Sequence, residues 1–301
     1  MLELKNEKIA IPVVLFAGLI WSFGPLVVRY MNEPNLVPWQ YIFSRGLTIF
    51  VLINLYLYFE EGSNFFKNYL KIGVSGIIGG TGLGIAMITF MFSITNTSAA
   101  ITLLCLAAMP FFTALLGFLF LKEKISINVW IAIIIAAVGI VIIALGNTAK
   151  GSLIGLVFGM TSSIGFSVFS VSLRWRKETP KFTTVALSGL ICVVTASIII
   201  LLNDMPFLST SYNGALFSLH GVLVCVGLIL YSIGSKAIPA AELTLLSLTE
   251  VIGGIFWVWL PLFGINEIPS TNTIIGGFFL FMSIIYYSLT IKTNRRFIAL
   301  N

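Results

Sequence analysis

Two ionisable residues stand where few membrane sequences tolerate them. Glu250 lies near the middle of an apolar segment from Ala240 to Phe263, and Arg45 lies inside another from Leu36 to Phe59. A charge surrounded by hydrocarbon is expensive, so such a group normally faces a partner, a cavity or a bound solute. Arg45 is nine residues from the start of its segment and Glu250 ten from the start of its own. At 1.5 Å per helical residue both depths are about 14–15 Å, close to the midplane of a hydrocarbon core about 30 Å thick. Opposite charges at one depth either pair with each other or each take one end of a zwitterionic solute. This is recognition chemistry rather than bond-making. His220 is the only histidine and no span holds an Asp, so nucleophile–base and metal-ligand sets lack their members.

The same cavity is expected to draw on Trp21, Ser22, Thr102, Met109, Ser163, Phe166 and Tyr231, a mainly apolar and aromatic wall with a few polar groups. Aromatic faces beside one carboxylate suit an amine or quaternary ammonium group. Other polar residues read as structural. His220 opens its span from the outer side and reads as interfacial, a proton-sensitive group in an outer vestibule being the other reading; Trp257 and Trp259 read as membrane anchors. Glu123 and Glu267, next to Ser126 and Ser270, read as turn-capping residues, and Glu242 as a structural group near the mouth. Cys105, Cys192 and Cys225 lie in apolar runs and read as small buried hydrophobes. The run GGTGLG at 79–84 has no lysine after it and no strand before it. With Gly76, Gly80 and Gly84 at four-residue spacing it reads as a helix-packing face, not a phosphate loop. No cofactor motif emerges.

The elements that must hold these residues follow from composition. Of 301 residues, 58% are hydrophobic and 9% charged, and the mean hydropathy is +1.05. Soluble domains carry about 25% charged residues, which excludes that class. Ten apolar spans are predicted: Ile9–Met31, Leu36–Phe59, Leu70–Phe92, Ser98–Leu121, Ile127–Leu145, Leu153–Leu173, Phe182–Leu202, Ala215–Ser235, Ala240–Phe263 and Thr273–Ile291. Each approaches the roughly 20 residues a membrane helix needs. The first is too long for a signal peptide and no small-residue cleavage site follows it.

Basic residues orient the spans. With a cytoplasmic N-terminus, Lys5, Lys8, Lys67, Lys71, Lys122, Lys124, Arg174, Arg176, Lys177, Lys181, Lys236, Lys292, Arg295 and Arg296 fall on the cytoplasmic side; only Arg29 and Lys150 fall opposite. Fourteen against two is a strong positive-inside bias and puts both termini in the cytoplasm. The net charge of +6 is therefore spread around a membrane rim and gives no support to nucleic-acid binding.

The halves echo each other. Thr102-Leu103-Leu104 aligns with Thr244-Leu245-Leu246, and Gly18, Ser22 and Gly24 align with Gly159, Ser163 and Gly165 at a constant spacing of 141. Glu250 falls close to Pro110 in the earlier copy. Five spans per half is an odd number, so related halves are inverted repeats, here 1–147 and 148–301, with the site at their interface. Kinks are expected at Pro25, and at Pro110 and Gly253-Gly254 in the fourth and ninth spans.

The chain resembles the EamA-type members of the drug/metabolite transporter superfamily over nearly its full length. The resemblance is carried by Trp21-Ser22-Phe23-Gly24, Arg45, Pro110, Lys122-Glu123-Lys124-Ile125-Ser126 and Asn266-Glu267-Ile268-Pro269-Ser270. It implies an all-α membrane protein: ten transmembrane helices as two inverted five-helix repeats around a central cavity. It also implies movement of small organic metabolites, often amino acids or related compounds, frequently outward. Arg45 has no counterpart in the second half, where Ala186-Leu187-Ser188 stands. The expected protein is a multi-pass secondary transporter of the cell inner membrane, monomer or homodimer. Its partners are a small metabolite and the bilayer, with coupling to protons or a counter-substrate left open. A channel would need rings of like charge or a filter motif, and neither is visible. A flippase or transporter of a lipid-linked or nucleotide-linked substrate is the alternative, distinguished by a cavity open sideways to lipid.

Overall fold

A computed structural model describes residues 6–123, 125–146, 153–176, 178–265, 268 and 270–298. Lys5, Lys124, Lys150, Lys177, Asn266, Glu267 and Pro269, which enter the sequence reading above, lie outside the described residues. In chain order the helices are α1 (Glu7–Trp21), α2 (Phe23–Tyr30), α3 (Pro38–Glu61), α4 (Phe66–Leu70), α5 (Gly73–Asn96), α6 (Ala99–Leu106) and α7 (Met109–Leu116). They continue with α8 (Ile127–Gly146), α9 (Leu153–Trp175), α10 (Lys181–Leu202), α11 (Ser211–Gly234), α12 (Ala240–Leu246), α13 (Thr249–Trp259) and α14 (Thr271–Ile298). Among the described residues eight helices, counting α1–α2, α3–α4, α6–α7 and α12–α13 as continuous, are long and apolar enough to cross a membrane. Two shorter apolar stretches, Ile127–Ile142 and Ile274–Tyr287, lie within α8 and α14. The protein is an all-α membrane protein.

Helix starts follow local chemistry. Asn6, Ser98 and Thr210 cap α1, α6 and α11 by accepting from backbone N–H groups of Lys8, Ile101 and Asn213. Three spans are interrupted. Pro25 and Pro110 each lack the N–H that would bond the carbonyl four residues back, at Trp21 and Leu106, and the helices stop at those residues. In the ninth span the interruption lies at Ser247–Leu248, not at Gly253-Gly254, which sit inside α13. That pair provides room instead: a Cβ on Gly253 would lie 2.7 Å from Ser22 Oγ, and one on Gly254 2.8 Å from Leu103. The two mid-span breaks are built alike, as single tight turns. The N–H of Ala108 bonds Cys105 and that of Phe111 bonds Ala108; Leu248 bonds Leu245 and Val251 bonds Leu248. The backbone thus stays satisfied where no water can reach it.

Packing joins one half of the chain to the other. α5 lies on α9 and α10, α3 on α10 and α11, α1 on α11 and α13, α6 and α7 on α9, and α8 on α14. In lipid such contacts depend on close approach of backbones rather than on expulsion of water. At the α5–α9 crossing a Cβ on Gly82 would come 2.9 Å from the Gly165 carbonyl oxygen, and one on Gly165 2.6 Å from that of Gly82. Gly80 and Gly84 face Leu187 and Ile191 of α10, so the expected packing face of the third span is used.

Candidate functional site

The interrupted spans and α3, α5, α9 and α11 surround a small cavity of about 70 Å³. Its wall is mainly apolar, with Leu83, Met87, Phe90, Leu106, Met109 and Val224 among the lining residues; Arg45, Ser162, His220 and Glu250 supply the polar groups. Trp21, Arg45, Met109, Phe166 and Glu250 line the cavity, as expected from sequence. Ser22, Thr102, Ser163 and Tyr231 do not: all four are fully buried behind the wall. The difference for Ser163 is one residue. Successive residues on a helix point about 100° apart, and it is Ser162 that faces the cavity, with its hydroxyl donated to the Ala86 carbonyl at 2.8 Å.

Glu250 is the second residue of α13, as Pro110 is of α7. The first turn of a helix carries its positive dipole end, which favours a carboxylate there. Among the described residues no side chain or backbone N–H is hydrogen-bonded to the Glu250 carboxylate, and no ion pair joins it to Arg45. Arg45, 2% exposed, donates from Nη2 to the Met87 carbonyl at 2.6 Å, and its guanidinium carbon lies 5.8 and 5.9 Å from the Tyr41 and Phe90 ring centres. Those ring faces supply the attraction a cation loses on leaving water. Among the described residues its Nε has no hydrogen-bond partner.

The segment Trp21-Ser22-Phe23-Gly24 locks the break between α1 and α2 to two other spans. Trp21 donates Nε1 to the Val224 carbonyl at 3.2 Å and lies against Gly227 of α11. Ser22 Oγ accepts from Trp257 Nε1 at 2.8 Å, while Phe23 stacks on the Trp257 ring at 4.6 Å. Trp257 is therefore a packing residue, whereas Trp259 stays exposed. Gly24 lies beneath His220. The expectation that His220 is interfacial is overturned. α11 begins at Ser211 rather than Ala215, which puts His220 about 14 Å along the helix, on the cavity wall and 2% exposed. Its Nδ1 is hydrogen-bonded to the Tyr41 hydroxyl.

Between the cavity and one end of the bundle lies an aromatic layer. Tyr231 contacts Trp21 and Phe166 at ring-centre distances of 5.5 and 5.2 Å, and Phe169 continues the layer. Beyond it Lys181 Nζ donates to the Ser232 carbonyl at 3.0 Å. Farther out Arg174 donates Nε to Glu123 at 2.6 Å and Nη1 to the carbonyls of Ser235 and Ile238 at 3.1 and 2.7 Å. Glu123 also accepts from the Ala240 N–H at 3.4 Å, at the first residue of α12. Glu123 was expected to cap its own turn beside Ser126; its side-chain bonds go instead to Arg174 and to the start of α12 in a different span, and sequence pairing gave no sign of Arg174 as its partner. Glu242 accepts from the Tyr287 hydroxyl.

Residues 8–145 match the EamA-like transporter family. A protein of Helicobacter pylori strain J99 named as an uncharacterised transporter is 26% identical over 201 residues, 65% of this chain and 64% of its own length. The chain thus spans a little under two thirds of that relative. A counterpart in H. pylori strain 26695 is 24% identical over 80% of each chain. The pseudopaline exporter of Pseudomonas aeruginosa is 23% identical over 73% of this chain and 75% of its own. A solved crystal structure with 18% identity superposes over 96% of this chain and 99% of its own with a TM-score of 0.74, which establishes the shared fold. With its interrupted spans and its central cavity, the chain is similar to the EamA-like transporter family over residues 8–145.

Proposed function

We propose that the protein is a secondary transporter that carries small organic metabolites with an amine or zwitterionic end across the inner membrane, by alternating access between two inverted repeats. One observation carries this reading: Glu250 and Arg45 open on the same buried cavity without pairing with each other. A purely structural pair of opposite charges would be expected to meet, because each leaves the other costly when unpaired. The equivalent breaks in α6–α7 and α12–α13, each joined to the opposite half, support the repeat arrangement. The name of the P. aeruginosa relative favours export. The positive-inside bias favours cytoplasmic termini.

The flippase alternative asks for a cavity open between helices. A side-facing apolar groove does run between α1 and α14, but its floor is Thr249, whose hydroxyl is donated to the Leu15 carbonyl of α1 at 3.2 Å. That contact ties α13 to α1 along this groove. The test is uptake of a metabolite panel by proteoliposomes, with and without an imposed pH gradient. Glu250→Gln keeps the shape and removes the charge. It is expected to retain the fold and to lower transport of amine-bearing solutes at least about tenfold, the loss of one charge-assisted contact. Normal rates and normal pH dependence for that variant would refute the role of Glu250.

A further inference from the structure

The two mid-span breaks differ by one bond. In the second, the N–H of Glu250 meets the carbonyl of Ser247 at 2.9 Å. Pro110 holds the same place in the first break and has no N–H, so among the described residues the Ala107 carbonyl has no donor. Ala107 is buried, and its carbonyl stands at the negative dipole end of α6. A second oxygen without a partner faces the same turn. Along α9, a Cβ on Gly159 would lie 2.8 Å from Cys105, and Ser167 donates to the Met109 carbonyl at 3.2 Å. Ser163 lies midway between the two on the same side of α9, so it faces the 106–108 turn. Its hydroxyl is fully buried and among the described residues has no hydrogen-bond partner. The third oxygen comes from α13. α12 packs on α7 and α13 on α6, so the two interrupted spans run antiparallel. Gly254 abuts Leu103, and one turn along that pair brings Glu250 to the level of Ala107.

We propose that the first break holds a Na⁺ site formed by the Ala107 carbonyl, the Ser163 hydroxyl and the Glu250 carboxylate, and that this ion drives transport. The site stands by itself; its coupling rests on the transporter reading above. Carbonyl, hydroxyl and carboxylate oxygens at a half-helix C-terminus are ligands for a hard cation. One carboxylate balances one positive charge, whereas a divalent ion would keep an uncompensated charge within hydrocarbon. Ala107 and Ser163 lie behind the cavity wall, where a bare ion fits and an organic headgroup does not. Glu250 opens on the cavity itself, so water can complete the ion's shell from that side. Na⁺ and the amine of a solute compete for this one carboxylate, and each leaves as the other binds. The exchange is antiport: Na⁺ entering the cell drives the solute out.

The experiment follows the unfolding temperature of the full chain in detergent, without solute, as NaCl replaces N-methyl-D-glucamine chloride at constant ionic strength and pH. An ion bound by the folded chain alone should raise that temperature by roughly 3 °C for each tenfold rise in Na⁺ above its Kd. Glu250→Gln should abolish the rise. Ser163→Ala should shift it to about tenfold higher Na⁺ and leave the Na⁺-free temperature unchanged, because no hydrogen bond within the protein is lost. Pro110→Ala supplies the N–H that Ala107 lacks, and should weaken Na⁺ binding in the same way. An unfolding temperature indifferent to Na⁺, or a response that both Ser163→Ala and Pro110→Ala leave intact, would overturn the site and leave those oxygens to water. In proteoliposomes, Na⁺ placed opposite the solute should speed its exit, and Na⁺ on the solute's own side should compete with it. Solute movement indifferent to Na⁺ on either side would overturn the coupling. If no solute moves under any condition while the Na⁺ response persists, the transporter reading fails and the site survives it.

Discussion

Removing the Arg174 side chain tests whether the contacts at its end of the bundle hold that end shut. Arg174→Met deletes a bond to Glu123 and two to the carbonyls of Ser235 and Ile238, and among the described residues it leaves Glu123 with the Ala240 N–H alone. The two side chains are 24% and 21% exposed, so screening is partial. Bonds to charged groups contribute about 1.5–3 kcal/mol each and do not add fully, so about 3 kcal/mol is a fair total for the cluster. Arg174 on α9 ties the α11–α12 connection to Glu123, so if this end opens by α9 moving away from them, most of that energy falls on the closed state. A loss of about 3 kcal/mol favours opening by roughly 100-fold. The assay is alkylation by a membrane-impermeant thiol reagent at Ser235→Cys, fully buried in the closed end, after Cys105, Cys192 and Cys225 are replaced. Arg174→Met should speed alkylation by one to two orders of magnitude, roughly in line with that shift. An unchanged rate in a variant that still unfolds at the parental temperature would show that the aromatic layer alone closes this end.

Two further outcomes are expected. Gly227→Ala would bring a Cβ to 2.1 Å from Trp21 Nε1, so it should lower thermal stability by about 1–3 kcal/mol and weaken solute binding; an unperturbed tryptophan spectrum and melting curve would contradict the packing described. Reporter fusions at the termini and in the 147–152 segment should report the termini as cytoplasmic and Lys150 as external, and a cytoplasmic Lys150 would overturn the orientation.

Much of the site was legible because charges in apolar segments are rare enough to count. Arg45 and Glu250 stood out for that reason, and both line the cavity. The helical break near Pro110 was legible from a missing N–H, a local property of the residue itself. The break at Ser247–Leu248 has no proline, and the neighbouring Gly253-Gly254 gave the stronger but misleading cue; those glycines answer to Ser22 and Leu103, which are distant in sequence. His220 was misplaced because hydropathy alone sets a span's start at its first run of apolar residues. The cap at Thr210, with Asn213 three residues on, was the available signal that the helix begins a turn earlier. Ser163 and Tyr231 failed for a different reason: depth can be counted along a sequence, but which side of a helix meets a cavity depends on neighbours that hydropathy does not name.

The cross-half packing bears on how such a chain is made. α5 meets its main partners, α9 and α10, only after the intervening α6 to α8 have been synthesised, and α3 likewise waits for α10 and α11. During that interval the glycine edge of α5, with Ser75 on it, has no helix to cover it. The first half therefore enters the bilayer without the partners that cover most of α5 and α3. Expressed as two pieces, the halves should survive quality control only together. A residue change along α5 would then be felt first as a loss of yield, before any effect on transport could be measured.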